Sequence, residues 1–281
     1  MTITCFKYRT PEAALSCLKD QTLYFAPPET LNDTLEARYD DADPGDFVET
    51  MRDTYDRISQ QRGGPAVSFD DSVADEMAAI YQRECERLAS VTRQVGIFSA
   101  ARRANHQAMW THYASGGVGV CFELEFSEEL LQRYRLEDTR VVYQDTARVH
   151  NRAEDFRAEL EALAQQHPSA TLDELHTLSL SHESRARCGK RTTVRAVSTK
   201  HTDWSYEEEI RLIAPKSGAL PILKPTLKRV HFLGIAGAHW GEIGPLLYQH
   251  DPDLELVQWT FDHGEIGATP TVMTMKTGAL D

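Results

Sequence analysis

The chain has 281 residues, 41% of them hydrophobic and 26% charged, a balance that excludes wholesale disorder. Its 30 Lys and Arg against 43 Asp and Glu leave a formal net charge of −13, so a broad basic, phosphate-tracking surface is excluded as the main feature. No run reaches the ~18 apolar residues of a membrane span, and the opening MTITCFKYRT lacks the apolar stretch of a signal peptide. The five cysteines are scattered, without a C-x-x-C pair. A reducing, cytoplasmic setting without membrane, disulfide framework or structural zinc is expected.

In chain order, Ile3–Tyr8 reads as a strand, and Thr10-Pro11 as an N-cap with proline at the first helical position. Ala14, Leu15 and Leu18 carry the helix, and Thr22–Phe25 is a second strand stopped by Pro27-Pro28. Leu31-Asn32-Asp33 has turn chemistry. Phe47, Met51, Tyr55 and Ile58, then Val73, Met77, Ile80 and Leu88, predict two helices. Strands are expected at Val95–Phe98, Val118–Phe126 and Thr139–Tyr143. A helical pair over roughly 150–187 follows, with Leu160, Leu163, Leu172, Leu175 and Leu178 as its apolar stripe. Strand signals return at Glu208–Ile213, Val230–Gly234, Leu254–Trp259 and Thr271–Met275. Strands thus bracket two helical inserts, about 45–93 and 150–187, without βαβ alternation. The expected fold is a single α+β domain over residues 1–281.

Three constellations carry chemistry. Trp204-Ser205-Tyr206-Glu207-Glu208-Glu209-Ile210-Arg211, read as a strand, sets Glu207, Glu209 and Arg211 on one face and Tyr206 and Ile210 on the other. Neighbouring carboxylates split their pKa values and an arginine stabilises one anion, which prepares a paired acid and base. A solvated strand face is the plainer alternative. His106–Gly117 places Trp110 and Tyr113 three residues apart, as an aromatic wall for a flat ring or as a core pair. Lys7-Tyr8-Arg9 ends the first strand beside a helix N-terminus, where basic groups suit a pyrophosphate or a surface ion pair. No dinucleotide fingerprint, phosphate-binding loop, nucleophile elbow or zinc-protease motif occurs, and no metal site is expected.

These residues resemble the bacterial domain of unknown function 2971. The resemblance is carried by Lys7-Tyr8-Arg9, Leu31-Asn32-Asp33-x-x-Glu36, Phe98-Ser99, Met109-Trp110-x-His112-Tyr113-Ala114, Gly119-Val120-Cys121 and Trp204-x-Tyr206-Glu207-x-Glu209-x-Arg211. A second, more distant resemblance is to the ADP-ribosyltransferases, through a polar first strand, a serine-bearing middle strand and a late Glu-x-Glu. It implies a split, mainly antiparallel β core of that type, with NAD as substrate. Arg9, with Lys7 and Tyr8, would meet the cofactor phosphates. Ser99 or Tyr113 would lie near the nicotinamide, with Trp110 and His112 also binding the cofactor; of the catalytic pair, Glu209 would bind the nicotinamide ribose and Glu207 would orient an acceptor. Asn32, Glu36, Trp204 and Arg211 complete the candidate set.

The implied activity is ADP-ribosyl transfer to a protein or nucleic-acid acceptor, or NAD hydrolysis. A toxin, effector or phage-defence role, with a cognate immunity or regulatory partner, would go with it. The alternatives are a metal-dependent nucleotide or nucleic-acid hydrolase using Glu36, His112, Glu207 and Glu209, and a nucleotide sensor without turnover.

Overall fold

Side-chain caps such as Thr10, Ser127, Thr171 and Ser181 start several helices in the computed structural model, which describes residues 2–33, 37, 42–145, 152–234, 239–262, 265–266 and 270–275. The order begins β1 (Ile3–Arg9), α1 (Pro11–Asp20), β2 (Leu23–Phe25), α2 (Pro44–Gln61), α3 (Asp71–Gln94), β3 (Gly96–Ala101), α4 (Gln107–Tyr113), β4 (Val120–Phe126), α5 (Glu128–Tyr134), β5 (Glu137–Arg140) and β6 (Val142–Gln144). It continues with α6 (Arg152–Gln166), α7 (Leu172–Ser179), α8 (His182–Val197), β7 (Thr199–His201), β8 (Glu209–Ala214), β9 (Gly218–Leu220), α9 (Leu223–Thr226) and β10 (Leu227–Leu233). Last come α10 (Trp240–His250), β11 (Glu255–Trp259), β12 (Phe261–Asp262), β13 (Glu265–Ile266) and β14 (Thr271–Thr274). The fold is α+β.

Contacts divide the chain into two compact units. The first comprises Met1–Thr30, Val95–Tyr143 and Thr202–Asp281, and the second Leu31–Gln94 and Gln144–His201. The first unit holds an eight-stranded mixed sheet, β14-β11-β10-β4-β1-β3-β8-β5. Only the β10/β11 pair is parallel; the other neighbours are antiparallel.

Each face of this sheet is buried. On β4, Val120, Phe122, Leu124 and Phe126 turn to one side and join Ala14 and Leu18 of α1 with Ile243 and Leu247 of α10. Cys121 turns to the other, with Tyr8, Ala101, Leu233 and Val257 beneath Met109 and Trp110 of α4. β3, Gly-Ile-Phe-Ser-Ala-Ala, accordingly reads as a near-continuous apolar run, as two-sided burial demands.

The second unit is helical. Phe47, Met51, Tyr55 and Ile58 of α2 pack with Met77, Tyr81 and Cys85 of α3, Leu160 and Leu163 of α6, and Leu175 of α7. Its later segment holds three helices running to Val197, where the leucine pattern predicted a pair ending near 187. The buried face of α8 is built from Ser184, Cys188, Gly189, Thr192, Thr193 and Ala196, so no apolar stripe announces it. Its partners are buried carboxylates. Thr192 and Arg195 donate to Asp155, and Ser184, Arg187 and Arg191 to Glu159.

The entry to β4 depends on a close backbone approach. Gly116 and Gly117 take φ of 68° and 95°, and a Cβ on Gly119 would stand 2.1 Å from the carbonyl oxygen of Arg9. That carbonyl belongs to the first pair of the β1/β4 ladder, Arg9 with Val120. Gly119→Ala must therefore push two central strands apart. A loss of roughly 3 kcal/mol or more is expected, measured by denaturant unfolding.

Candidate functional site

The Glu-rich segment does not enter as a continuous strand. Thr202–Glu207 forms a 3₁₀ turn, and Glu208 takes φ of 45°, which breaks the alternation before β8 begins at Glu209. Glu207 therefore leaves the strand face predicted for it, while Glu209 and Arg211 keep theirs. The solvated-face alternative also fails, since Glu207, Glu209 and Arg211 are 4%, 5% and 1% exposed. Arg211 clasps Glu209 with two bonds, Nε to Oε1 at 2.8 Å and Nη2 to Oε2 at 2.9 Å. Glu207 instead accepts the phenol hydrogen of Tyr113 at the end of α4. Burial, then the bond and charge of Glu207, push the Tyr113 phenol well above the usual range, so this donor stays protonated.

Around this carboxylate lies an aromatic patch. The Tyr206 ring has the rings of His106, His112 and Trp204 at 6.2, 6.2 and 6.3 Å between centroids. His112 is exposed, and Tyr206, Trp204, Tyr113 and His106 are half-buried. Burial, then the charge of Arg103, lowers the His106 pKa below the ordinary imidazole value. Its Nδ1 is buried without a hydrogen-bond partner. Tyr8 holds this loop: its hydroxyl accepts from the His106 amide at 3.3 Å and donates to the Arg103 carbonyl at 2.8 Å. Sequence reading passed over His106 because it stands alone before a short helix. Only the tertiary fold brings it to Tyr206, far along the chain.

Trp110 does not line the patch. It is 1% exposed, packs edge-on against Tyr8 at 5.2 Å, and donates its indole hydrogen to the Ala104 carbonyl at 2.7 Å. It serves as core.

Strand register separates the remaining candidates. Ala101 faces Glu209 and Ser99 faces Arg211 across β3/β8, while Phe6 faces Ala101 across β1/β3. Cross-strand partners share a face, so Ser99, Glu209 and Arg211 lie on the α4 side of the sheet. Lys7 and Arg9 face Phe122 and Val120 and so lie on the opposite, α1 side. The expected convergence of Arg9 with both glutamates is not met, because a step of one residue along β1 reverses the side. Asn32 belongs to the second unit, where Lys200 Nζ donates to its side-chain oxygen at 3.4 Å. Glu36 lies outside the described residues.

The two basic residues of β1 remain unusual. The Nε and Nη2 atoms of Arg9 and the hydroxyl of Ser99 are buried without partners. Lys7 Nζ donates to the Ser99 carbonyl and sits 5.1 Å from the Phe98 ring centroid. Burial foremost, then Arg9, pushes its pKa down to about 7, against the opposing pull of Glu209. Among the described residues no three His, Cys, Asp or Glu side chains gather as a metal site.

A family model described as "Protein of unknown function (DUF2971)" matches residues 109–212. The match contains Trp110, His112, Tyr113, Glu207, Glu209 and Arg211, and it excludes Lys7, Tyr8, Arg9 and Ser99. No curated protein and no solved structure matches the chain. The resemblance to ADP-ribosyltransferases therefore gains no support from these comparisons.

Two measurements check this geometry. Glu209→Gln leaves the Arg211 cation buried beside a neutral amide. The expected outcome is loss of stability of about 3–5 kcal/mol in denaturant unfolding. Lys7 binds its proton less tightly folded than unfolded, so its contribution to stability grows as pH rises from about 7 toward 10.5 and is lost on the way down. In melts over that range, the wild-type minus Lys7→Met difference should rise with pH; a flat difference contradicts the lowered pKa.

Proposed function

We propose that the first unit binds a nucleotide by its flat ring against Tyr206 and uses Glu207 to cleave a glycosidic bond, with NAD as the substrate. The observation that carries this reading is a buried carboxylate, oriented by a protonated phenol, at the base of a half-buried aromatic and imidazole patch.

The available groups suit one kind of leaving group. His106 is held neutral, Tyr113 is held protonated by burial and then by its bond to Glu207, and Glu209 is occupied by Arg211. Such a site offers a negative charge and a base, but no strong acid. The nicotinamide of NAD leaves without one: the C1′–N bond breaks, its electron pair returns to the cationic ring, and nicotinamide departs neutral. Positive charge then develops on the ribose, and a fixed carboxylate stabilises it only as it appears. An acceptor hydroxyl, or water, adds to C1′ and passes its proton to the neutral His106 imidazole. Glu207, not Glu209, is assigned to the ribosyl cation, because moving Glu209 would strip a buried arginine of its counter-charge.

A second reading, nucleotide sensing without turnover, is favoured by the fact that both buried carboxylates are already engaged. The two readings part in one assay. Purified protein is incubated with NAD and a cell lysate, and nicotinamide release and ADP-ribose incorporation are followed. Glu207→Gln should melt near wild type and lose roughly 10²–10³ in kcat with little change in NAD affinity. His106→Ala should depress transfer and hydrolysis together. Binding of NAD without product in the presence of lysate favours the sensor. Absence of NAD binding at millimolar concentration overturns both.

A further inference from the structure

The helical unit contains a cavity of about 250 Å³, remote in sequence from the residues used above and lined by α2, α3, α6, α7 and α8. Its interior is aromatic. Phe47 and Tyr81 stack at 4.0 Å between centroids, and Phe156 stands edge-on to both at 5.7 and 5.9 Å. Met51 and Met77 complete the apolar wall with side chains that adjust to an occupant. An engineered cavity of ~150 Å³ already holds benzene, so this volume suits a fused bicyclic ring.

The mouth carries exposed guanidinium groups. The exposed members of the lining include Arg83, Leu180 and Arg185, so the cavity opens there. The lining carboxylates are already committed: Glu84 accepts from Arg87 and Arg185, and Glu159 from Arg187, Arg191 and Ser184. Arg83 has no carboxylate partner among the described residues. Arg87 and Arg185 thus share Glu84, and Arg83 is the lining guanidinium that no described carboxylate takes up. A cationic ligand would meet repulsion and no vacant carboxylate; an anionic one meets unused N–H donors.

We propose that this cavity is a second small-molecule site, for an aromatic carboxylate whose ring lies among Phe47, Tyr81 and Met77 and whose carboxylate meets Arg83. The inference is independent of the reading of the first unit.

Calorimetry on the intact protein tests it with indole-3-acetate, neutral indole and tryptamine, which share a ring and differ in charge. Indole-3-acetate should bind most tightly. Arg83→Glu, on an exposed side chain that leaves the core intact, should weaken it about tenfold or more while affecting indole little. Met77→Trp should fill the space and abolish binding of the acetate, and if that variant fails to fold, Arg83→Glu alone decides. Tryptamine binding as tightly as indole-3-acetate, an Arg83→Glu variant with unchanged affinity, or no binding of the acetate at millimolar concentration would each overturn the proposal.

Discussion

A charge pair on a covered face of a sheet cannot reach water, and must be neutralised where it stands. Glu209 and Arg211 are spaced by two residues on β8, between β3 and β5, so both project to one side of the sheet. Their two parallel hydrogen bonds make burial tolerable, and they fix where the carboxylate and guanidinium lie. The adjacent chemistry follows from that anchor. The chain arrives at Glu209 through a 3₁₀ turn and a positive-φ residue, which lifts Glu207 off the strand and toward Tyr113. Tyr206 rides on the same turn and gathers His106, His112 and Trp204 around it.

The helical unit handles buried acids the same way, with more donors. Asp155 and Glu159 on α6 and Glu84 on α3 are each nearly solvent-free and each accept from arginines. Removing one partner of such a pair costs more than the intact pair contributes, because it strands a buried charge.

Periodicity made much of the architecture legible. The strand at Ile3–Arg9, the capped helix after it, and the helices carrying Phe47, Met51 and Tyr55 follow from alternation, capping and 3.6-residue spacing. α8 falls outside the expected helical pair because its inward face is polar and small, and α10 goes unannounced because it carries Gly241, Gly244 and Pro245. Residue types at the site were legible too: Tyr113, Glu207 and Trp204 were singled out from composition and spacing. His106 was not, because its significance lies in an unfilled hydrogen bond, which no spacing encodes.

By itself, then, the sequence determined local geometry and the identity of the chemical groups, since both depend on nearest neighbours along the chain. Which groups meet was decided only by tertiary structure. Sheet register put Lys7 and Arg9 on the side opposite Ser99 and Glu209, because adjacent residues of a strand point apart. Packing turned Trp110 from a candidate ring wall into core, and a single positive-φ residue at Glu208 separated two glutamates that a regular strand would have aligned. Each of these outcomes depends on a partner about 90 residues or more away, beyond the reach of any local pattern.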